Sequence, residues 1–133
     1  MSVVVESVRT RQALREFIDF PRHLYRDNDQ WVPFFDADYR SFYRGEHPFF
    51  AHADAEFLLA RRDRDPVGRV LMIHNQRYNA QHNRTAALFY FTDFIDDEEV
   101  TDTLFGAMAE WAQSRGLTEL IGPVFSGATY GGG

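Results

Sequence analysis

The fold is decided by residues 85–125, which read TAALFYFTDFIDDEEVTDTLFGAMAEWAQSRGLTELIGPVF. Residues 85–94 form an apolar run that predicts a β-strand, and residues 120–125 predict a second, shorter strand. Between them the pattern predicts a helix that ends at Gly116. One stripe of this helix carries Val100, Leu104, Met108 and Trp111. Two strands joined by a crossover helix should lie parallel, with a right-handed connection.

The residues just before this unit predict an antiparallel hairpin. Residues 55–62 and 69–75 have strand patterns, and residues 63–68, DRDPVG, have the composition of a turn. Residues 76–84 are polar and rich in Asn, which predicts a loop. The strand over residues 85–94 should therefore return antiparallel to the second strand of the hairpin.

The first part of the chain predicts a strand followed by a helix. Residues 3–8 are short and rich in β-branched side chains, and Thr10 can cap the helix that follows. The apolar face of the helix contains Leu14, Phe17, Ile18, Leu24 and Tyr25. Pro21 falls inside this pattern and should kink or divide the helix near residues 19–20, because proline lacks an N–H and its ring clashes with the preceding turn.

Two aromatic–proline segments flank a short predicted helix in the middle of the chain. Residues 31–35 and 47–50 are WVPFF and HPFF, and residues 37–43 predict the helix. One interpretation is a lid over one end of the sheet. The other is a loop that is held down by its aromatic side chains.

Composition limits the class of protein. The chain has 133 residues, 44% of them hydrophobic, which suits one domain with one core, and it has no cysteine. A formal charge of −6 does not favour nucleic-acid binding. Arg61, Arg62 and Arg69 are the nearest approach to a basic patch, which we interpret as solvated strand ends and turns; the alternative is a phosphate-binding surface. No apolar run reaches the roughly 20 residues that cross a bilayer. We therefore expect a cytoplasmic protein with neither a membrane nor a nucleic-acid partner.

The predicted element order, β-α-α-β-β-β-α-β, resembles the GNAT superfamily of acyl-CoA N-acyltransferases. Residues 17–21, 31–33, 48–55 and 67–69 are also similar to segments of a bacterial GNAT-like group. The resemblance covers residues 3–125. It implies an α/β (α+β) fold with a mixed sheet, and a domain without the C-terminal helix and strands of a complete GNAT protein. The glycine-rich residues 126–133 should form a flexible tail.

The resemblance implies acyl transfer from acetyl-CoA, the acyl donor, to a small-molecule amine. In GNAT enzymes the fourth and fifth strands splay apart, and the pantetheine arm pairs with the backbone of the fourth strand. That role falls here on Phe94 and Ile95, which would otherwise be ordinary ladder or bulge positions. The resemblance also implies Asp93 as the general base toward the amine. Alternation along the strand places Asp93 on the same face as Phe89 and Phe91, and the role requires burial among those rings. The alternative for Asp93 is an Asp that caps a turn at the end of a strand.

The residues at the start of the crossover helix differ from the glycine-rich diphosphate loop of GNAT enzymes. Residues 96–99 are four carboxylates, and Asp96 with Glu99 fits a capping box. One carboxylate about 5 Å from a phosphate repels it by about 3 kcal/mol at an effective dielectric near 20. A helix end attracts the same anion by only about 0.3–1 kcal/mol. The sequence therefore predicts a poor phosphate cradle.

A second hypothesis is a non-catalytic GNAT-fold module. Its fifth strand would have an exposed edge, through which the chain could form a homo-oligomer. A metal centre is not expected, because His47 and His52 lack the three or four converging ligands that a metal needs.

Overall fold

The described residues form five strands and three helices. The structure is a computed structural model, and it describes residues 2–24 and 53–122. The strands are β1 (Val3–Ser7), β2 (Ala53–Arg62), β3 (Asp65–Asn75), β4 (Ala86–Phe94) and β5 (Glu119–Ile121). The helices are α1 (Arg11–Leu24), α2 (Gln76–His82) and α3 (Glu98–Ser114). None of these described helices combines the length and the apolar character that crossing a membrane requires.

One mixed sheet contains all five strands in the order β1-β2-β3-β4-β5. The first four strands pair antiparallel with their neighbours, and β5 pairs parallel with β4. The parallel register runs from Ala86 opposite Glu119 to Leu88 opposite Ile121. The predicted α/β fold with a mixed sheet is therefore confirmed, including the two parallel strands on either side of the crossover helix.

Several predictions fall outside the described residues. They are the short helix over residues 37–43, the aromatic–proline segments 31–35 and 47–50, residues 123–125 of the predicted fifth strand, and the tail 126–133. These remain predictions, as does the extent of the domain over residues 3–125.

The sheet is covered on both faces. On one face α1 contributes Phe17, and on the other α3 contributes Leu104, and both side chains are fully buried. Successive residues of β3 serve the two layers, because Leu71 belongs to the α1 cluster and Met72 to the α3 cluster. Each such buried side chain contributes about 1.5–3 kcal/mol. Apolar burial on both sides therefore holds the two long helices to the sheet.

α1 begins as predicted but is not divided at its proline. The Thr10 hydroxyl accepts a hydrogen bond from the Ala13 N–H at 3.0 Å. The helix continues to Leu24 with a buried Pro21 inside it, so of the predicted kink or division, the division is wrong and the kink stays a prediction. Pro21 lacks the N–H that would bond to the Phe17 carbonyl four residues earlier. That carbonyl finds another donor, described below.

The loop predicted over residues 76–84 is instead the helix α2. Asn75 caps its start by accepting a hydrogen bond from the Tyr78 N–H, and Asn83 ends it in the left-handed region at φ 52°. The helix buries no residue. Asn75, the last residue of the predicted strand, and Asn83, within the predicted loop, therefore act as caps at the two ends of a short exposed helix.

The aromatic residues of β4 do not all lie on the faces of the sheet that regular alternation predicts. Phe89 belongs to the α3 cluster and Phe91 to the α1 cluster, so the expectation that both share a face with Asp93 is wrong. The cause is a register shift opposite Arg69 and Leu71, together with a φ of 55° at Phe91. One extra residue in a strand reverses the faces of the residues that follow.

Two glycines form a matched pair for testing the parallel strand pairing. A Cβ at Gly122 would lie 2.6 Å from the Phe89 carbonyl oxygen, whereas a Cβ at Gly106 would have nothing within 4 Å. The close helix–sheet approach that could have explained a glycine at position 106 is therefore absent.

We predict that Gly122→Ala lowers the free energy of unfolding by about 1–3 kcal/mol, because the backbone of β4 cannot yield to the added methyl group. Gly106→Ala, at an exposed position inside α3, should raise the same free energy by up to about 1 kcal/mol. Urea unfolding followed by circular dichroism measures both. Equal stability of Gly122→Ala and the wild type would contradict the close approach of β5 to β4.

Candidate functional site

β4 pairs with a long strand, β3, on one side and with a short strand, β5, on the other. It pairs with β3 as far as Phe94, which lies opposite Gly68, but with β5 only at residues 86–88. Gly122 then passes close to the Phe89 carbonyl. Among the strands that the structure describes, none adjoins the second half of β4 on this side. The described pairing of β4 with β5 is thus confined to the start of β4, and we take the segment that follows, residues 90–94, as the candidate binding edge for an extended ligand.

The predicted donor-binding residues lie at the far end of this edge. Phe94 pairs with Gly68, and the Ile95 N–H donates a hydrogen bond to the Val67 carbonyl at 3.0 Å. The Ile95 N–H is therefore directed at β3, and a donor contact at Ile95 would have to use its carbonyl. The roles of Phe94 and Ile95 in donor binding stay predictions.

Arg69 forms the centre of a buried network beneath this edge. Its side chain is 4% exposed, and its Nε donates to Asp93 Oδ2 at 2.9 Å. Its Nη1 donates at 2.9 Å to the Phe17 carbonyl, the group that Pro21 cannot serve. The guanidinium also lies 4.9 Å from the centre of the Phe17 ring and 5.3 Å from that of Phe91. One cation thus connects α1, β3 and β4.

Our interpretation of Arg69 as a solvated strand end is wrong. A proline inside a helical pattern indicates that the carbonyl four residues earlier, here that of Phe17, does not have its usual helical N–H donor. The sequence does not reveal the donor, which lies 52 residues away in the chain. A buried guanidinium is tolerated because its hydrogen bonds and its charge are matched.

Asp93 is brought into this network rather than left at a turn. Its side chain is 15% exposed and lies opposite Arg69 in the strand register. Phe91 is near the same guanidinium, so the aromatic environment that a general base needs is present on one side. The ion pair gives Asp93 a structural role, and its catalytic role stays a prediction.

The start of α3 is capped by Asp97, not by Asp96 as the predicted capping box required. The Asp97 side chain accepts a hydrogen bond from the Val100 N–H at 3.2 Å. Arg62 of β2 donates to Asp97 at 3.0 Å and to Glu99 at 2.9 Å. Glu99 therefore pairs with an arginine instead of closing a capping box, and Arg62 is not simply a solvated strand end.

This contact sets the ionisation of Asp97. The hydrogen bond from Arg62, followed by that from the Val100 N–H, lowers the pKa of Asp97 below its ordinary value of 3.8. Hydrogen bonds to Asp97 and then to Glu99 raise the pKa of Arg62. Both groups are therefore charged at neutral pH. The first turn of α3 thus already binds an anion that belongs to the protein, the Asp97 carboxylate.

The residues at this helix end do not fit a diphosphate. The Asp97 carboxylate already accepts a hydrogen bond from a first-turn N–H, the kind of group with which helix N-termini bind anions. The one guanidinium that the described structure places there is shared by two carboxylates, while Asp96 and Glu98 are exposed alongside. In the described residues, the start of α3 is thus the poor phosphate-binding site that the sequence predicts.

A cleft of about 580 Å³ lies between the C-terminal half of α1 and the ends of β3 and β4. Its lining includes Glu16, Asp19, Phe20, His23, Leu24 and Ile95. Glu16 is held by two hydrogen bonds from Arg61, at 2.6 and 2.9 Å. Asp19 lies 3.2 Å from the exposed Arg22. The cleft is thus both apolar and acidic, and Asp19 is its less constrained carboxylate.

Metal ligation has no support within residues 2–24 and 53–122, where no group of three or more His, Cys, Asp or Glu side chains converges. His47 and His52 lie outside these ranges.

Two curated proteins are similar to this chain in sequence. Protein YghO of Escherichia coli (strain K12) is 27% identical over 120 residues, which cover 90% of this chain and 31% of that protein. The bacterial ceramide synthase of Caulobacter vibrioides is 30% identical over 118 residues, which cover 87% of this chain and 31% of that protein. The chain therefore spans about a third of the length of the curated relatives it matches. No family model matches it.

Solved structures with the same architecture include a tandem GNAT protein from the clavulanic acid biosynthesis pathway. It superposes with a TM-score of 0.72 at 11% identity, over 90% of this chain and 35% of that chain. A predicted acetyltransferase from Clostridium acetobutylicum, solved with acetyl-CoA, gives a TM-score of 0.58 at 8% identity, over 90% of this chain and 79% of that chain. At these identities the comparisons show the fold, and the chain has the GNAT fold over most of its length.

We predict that Arg69→Met lowers the free energy of unfolding by about 3–5 kcal/mol, because it removes the hydrogen bonds of the buried Arg69 to the Asp93 carboxylate and to the Phe17 carbonyl. Arg64→Met, at an exposed turn position, should change it by less than about 0.5 kcal/mol. The double variant Arg69→Met/Asp93→Leu should regain part of the loss, because no uncompensated charge is then left. Urea unfolding measures all three, and an Arg69→Met variant as stable as Arg64→Met would refute the network.

A second prediction concerns pH. Because the pKa of Asp97 is lowered on folding, its pairing with Arg62 stabilises the protein above pH 3.8, and this stabilisation is lost as pH falls through the lowered value. Arg62→Gln should raise the pKa of Asp97 toward 3.8. The stability difference between this variant and the wild type should then shrink in acid.

Carboxyl NMR titration measures the pKa of Asp97, and urea unfolding at several pH values measures the difference in stability. Arg77→Gln on α2 is the matched control, since Arg77 is exposed and distant in sequence from α3. An unchanged Asp97 titration in Arg62→Gln would contradict the assigned ion pair.

Proposed function

We propose that this chain contains the donor-binding core of an N-acyltransferase, which transfers an acyl group from a CoA thioester to an amine. The observation that carries the proposal is the short parallel pairing of β4 with β5, which among the described residues spans only residues 86–88 of β4, while β4 continues beside β3 to Phe94. An extended thioester arm can add to such an edge as a further strand would. The fold shared with acetyltransferases supports the same reaction class.

In the proposed reaction a C–N bond forms and the C–S bond of the thioester breaks. The thiolate leaves and takes up a proton, while the attacking amine loses one. Asp93 is the residue proposed to accept the amine proton, directly or through water. Its ion pair with Arg69 fixes the carboxylate at the end of β4. The β4 backbone would orient the thioester beside it.

We propose that the acceptor is an amphipathic amine that binds in the α1 cleft. A protonated amine suits Asp19, and an apolar chain suits Phe20, Leu24 and Ile95, which line the same cleft. The name of the Caulobacter relative, bacterial ceramide synthase, supports this class, because a ceramide is the amide of a long-chain amine.

A non-catalytic GNAT-fold module is the second candidate. The carboxylates at the start of α3 favour it, since they do not fit the diphosphate of CoA. β5 is short and half-buried, and we propose that its edge could pair with a second copy of the chain. This module would form dimers in solution and would not bind thioesters.

The test is a titration with acetyl-CoA followed by an assay for amide formation by mass spectrometry, with sphinganine and ethanolamine as acceptors. We predict thioester binding at millimolar donor, and faster amide formation from sphinganine than from ethanolamine. Asp93→Asn should lower the rate by about 10²–10⁴-fold if Asp93 is the base. Asp102→Asn, at an exposed position on α3, is the matched control and should leave the rate unchanged.

The two candidates give opposite results in this assay. Absence of both thioester binding and amide formation would reject the enzyme, and a dimer in sedimentation analysis would then support the module. Amide formation that is insensitive to Asp93→Asn would keep the enzyme but remove Asp93 as its base.

A further inference from the structure

We infer that the chain recognises its acyl donor by the pantetheine thioester arm alone, and that the start of α3 does not bind the CoA diphosphate. The donor class would then be acyl-pantetheine thioesters, with or without an attached nucleotide. This inference rests on the proposed function. It is carried by the contacts of Asp97, Arg62 and Glu99, which are independent of the β4 edge.

The amides that would receive a phosphate are already used. The Asp97 carboxylate accepts from the Val100 N–H at 3.2 Å, and the Glu99 N–H also stabilises its charge. The Asp97 carbonyl accepts from the Thr101 N–H at 3.0 Å, so the helix is capped from its first turn. A diphosphate would have to displace a carboxylate that belongs to the helix itself.

The charges near the start of α3 also oppose the displacement of the Asp97 carboxylate by a diphosphate. Arg62 donates hydrogen bonds to Asp97 at 3.0 Å and to Glu99 at 2.9 Å, so its charge is already matched. Asp96 and Glu98 remain exposed beside this pair. Within the described residues, the helix end therefore presents excess negative charge to an approaching anion.

The backbone of residues 94–100 offers no alternative cradle. Phosphate loops bring main-chain N–H groups close to the ligand by using glycine. Residues 94–100, FIDDEEV, contain no glycine, and Asp97 has the ordinary extended conformation, with φ −151° and ψ 124°. We therefore assign donor recognition to the β4 edge, beyond its described pairing with β5.

Calorimetric titration with acetyl-CoA and with S-acetylpantetheine tests this inference on the whole chain. The two dissociation constants should agree within about threefold, a difference of about 0.7 kcal/mol. Adenosine 3′,5′-bisphosphate, which carries the nucleotide phosphates without the arm, should not compete with either donor.

A charge variant sharpens the test. Asp97→Asn/Glu99→Gln keeps a good N-cap residue, removes two negative charges and releases Arg62. It should bind acetyl-CoA at least about fivefold more tightly than the wild type does, with unchanged affinity for S-acetylpantetheine. Glu110→Gln, at an exposed position farther along α3, is the matched control and should leave both affinities unchanged.

The outcomes separate this inference from the function on which it rests. Binding of acetyl-CoA more than about tenfold tighter than S-acetylpantetheine, and loss of that preference in Arg62→Gln, would overturn the inference alone, because Arg62 would then exchange its carboxylates for the diphosphate. Absence of binding by either donor would overturn both proposals. Equal binding in the wild type, with a gain for acetyl-CoA in the charge variant, supports both.

Discussion

The buried guanidinium of Arg69 is the constraint on which the rest of this structure depends. A cation in this position is tolerated only because a carboxylate, a main-chain carbonyl and two aromatic rings surround it. Those partners belong to α1 and β4, so Arg69 on β3 fixes the helix and the irregular strand relative to each other. Pro21 contributes by leaving the Phe17 carbonyl available inside an otherwise regular helix. The same arrangement places Asp93 at the end of β4, beside the proposed binding edge.

In the proposed function, the two ends of the crossover unit contribute differently to the binding of a donor. The described pairing of β4 with β5 spans residues 86–88, Gly122 approaches the Phe89 carbonyl closely, and the proposed donor edge lies beyond this point on β4. α3 offers little to an anion, because Asp97 fills its first turn and Arg62 is already engaged. In our proposal, this GNAT fold retains the edge for a thioester arm while its helix end does not bind phosphate. The acidic, apolar cleft beside α1 lies at the same end of the sheet as Ile95.

The sequence predicts what local patterns determine. The parallel strands around α3, the hairpin and the cap at Thr10 depend on periodicity and turn chemistry within short windows, and the structure confirms them. The ion pairs of the site join residues that are 24 to 37 positions apart, so no local pattern indicates them. The faces of Phe89 and Phe91 depend on a register shift between strands, and alternation along one strand cannot reveal it. Asp97 replaces Asp96 as the cap because Arg62 and the Val100 N–H both bind it.

Amide hydrogen exchange with and without S-acetylpantetheine tests the central claim, that residues 90–94 of β4 form the donor-binding edge and the start of α3 does not. NMR resolves the individual amides of both segments, and exchange slows where a ligand forms new main-chain hydrogen bonds. The account predicts slower exchange within residues 90–94 and unchanged exchange over residues 98–101. Slower exchange in the first turn of α3 without any change in β4 would contradict it.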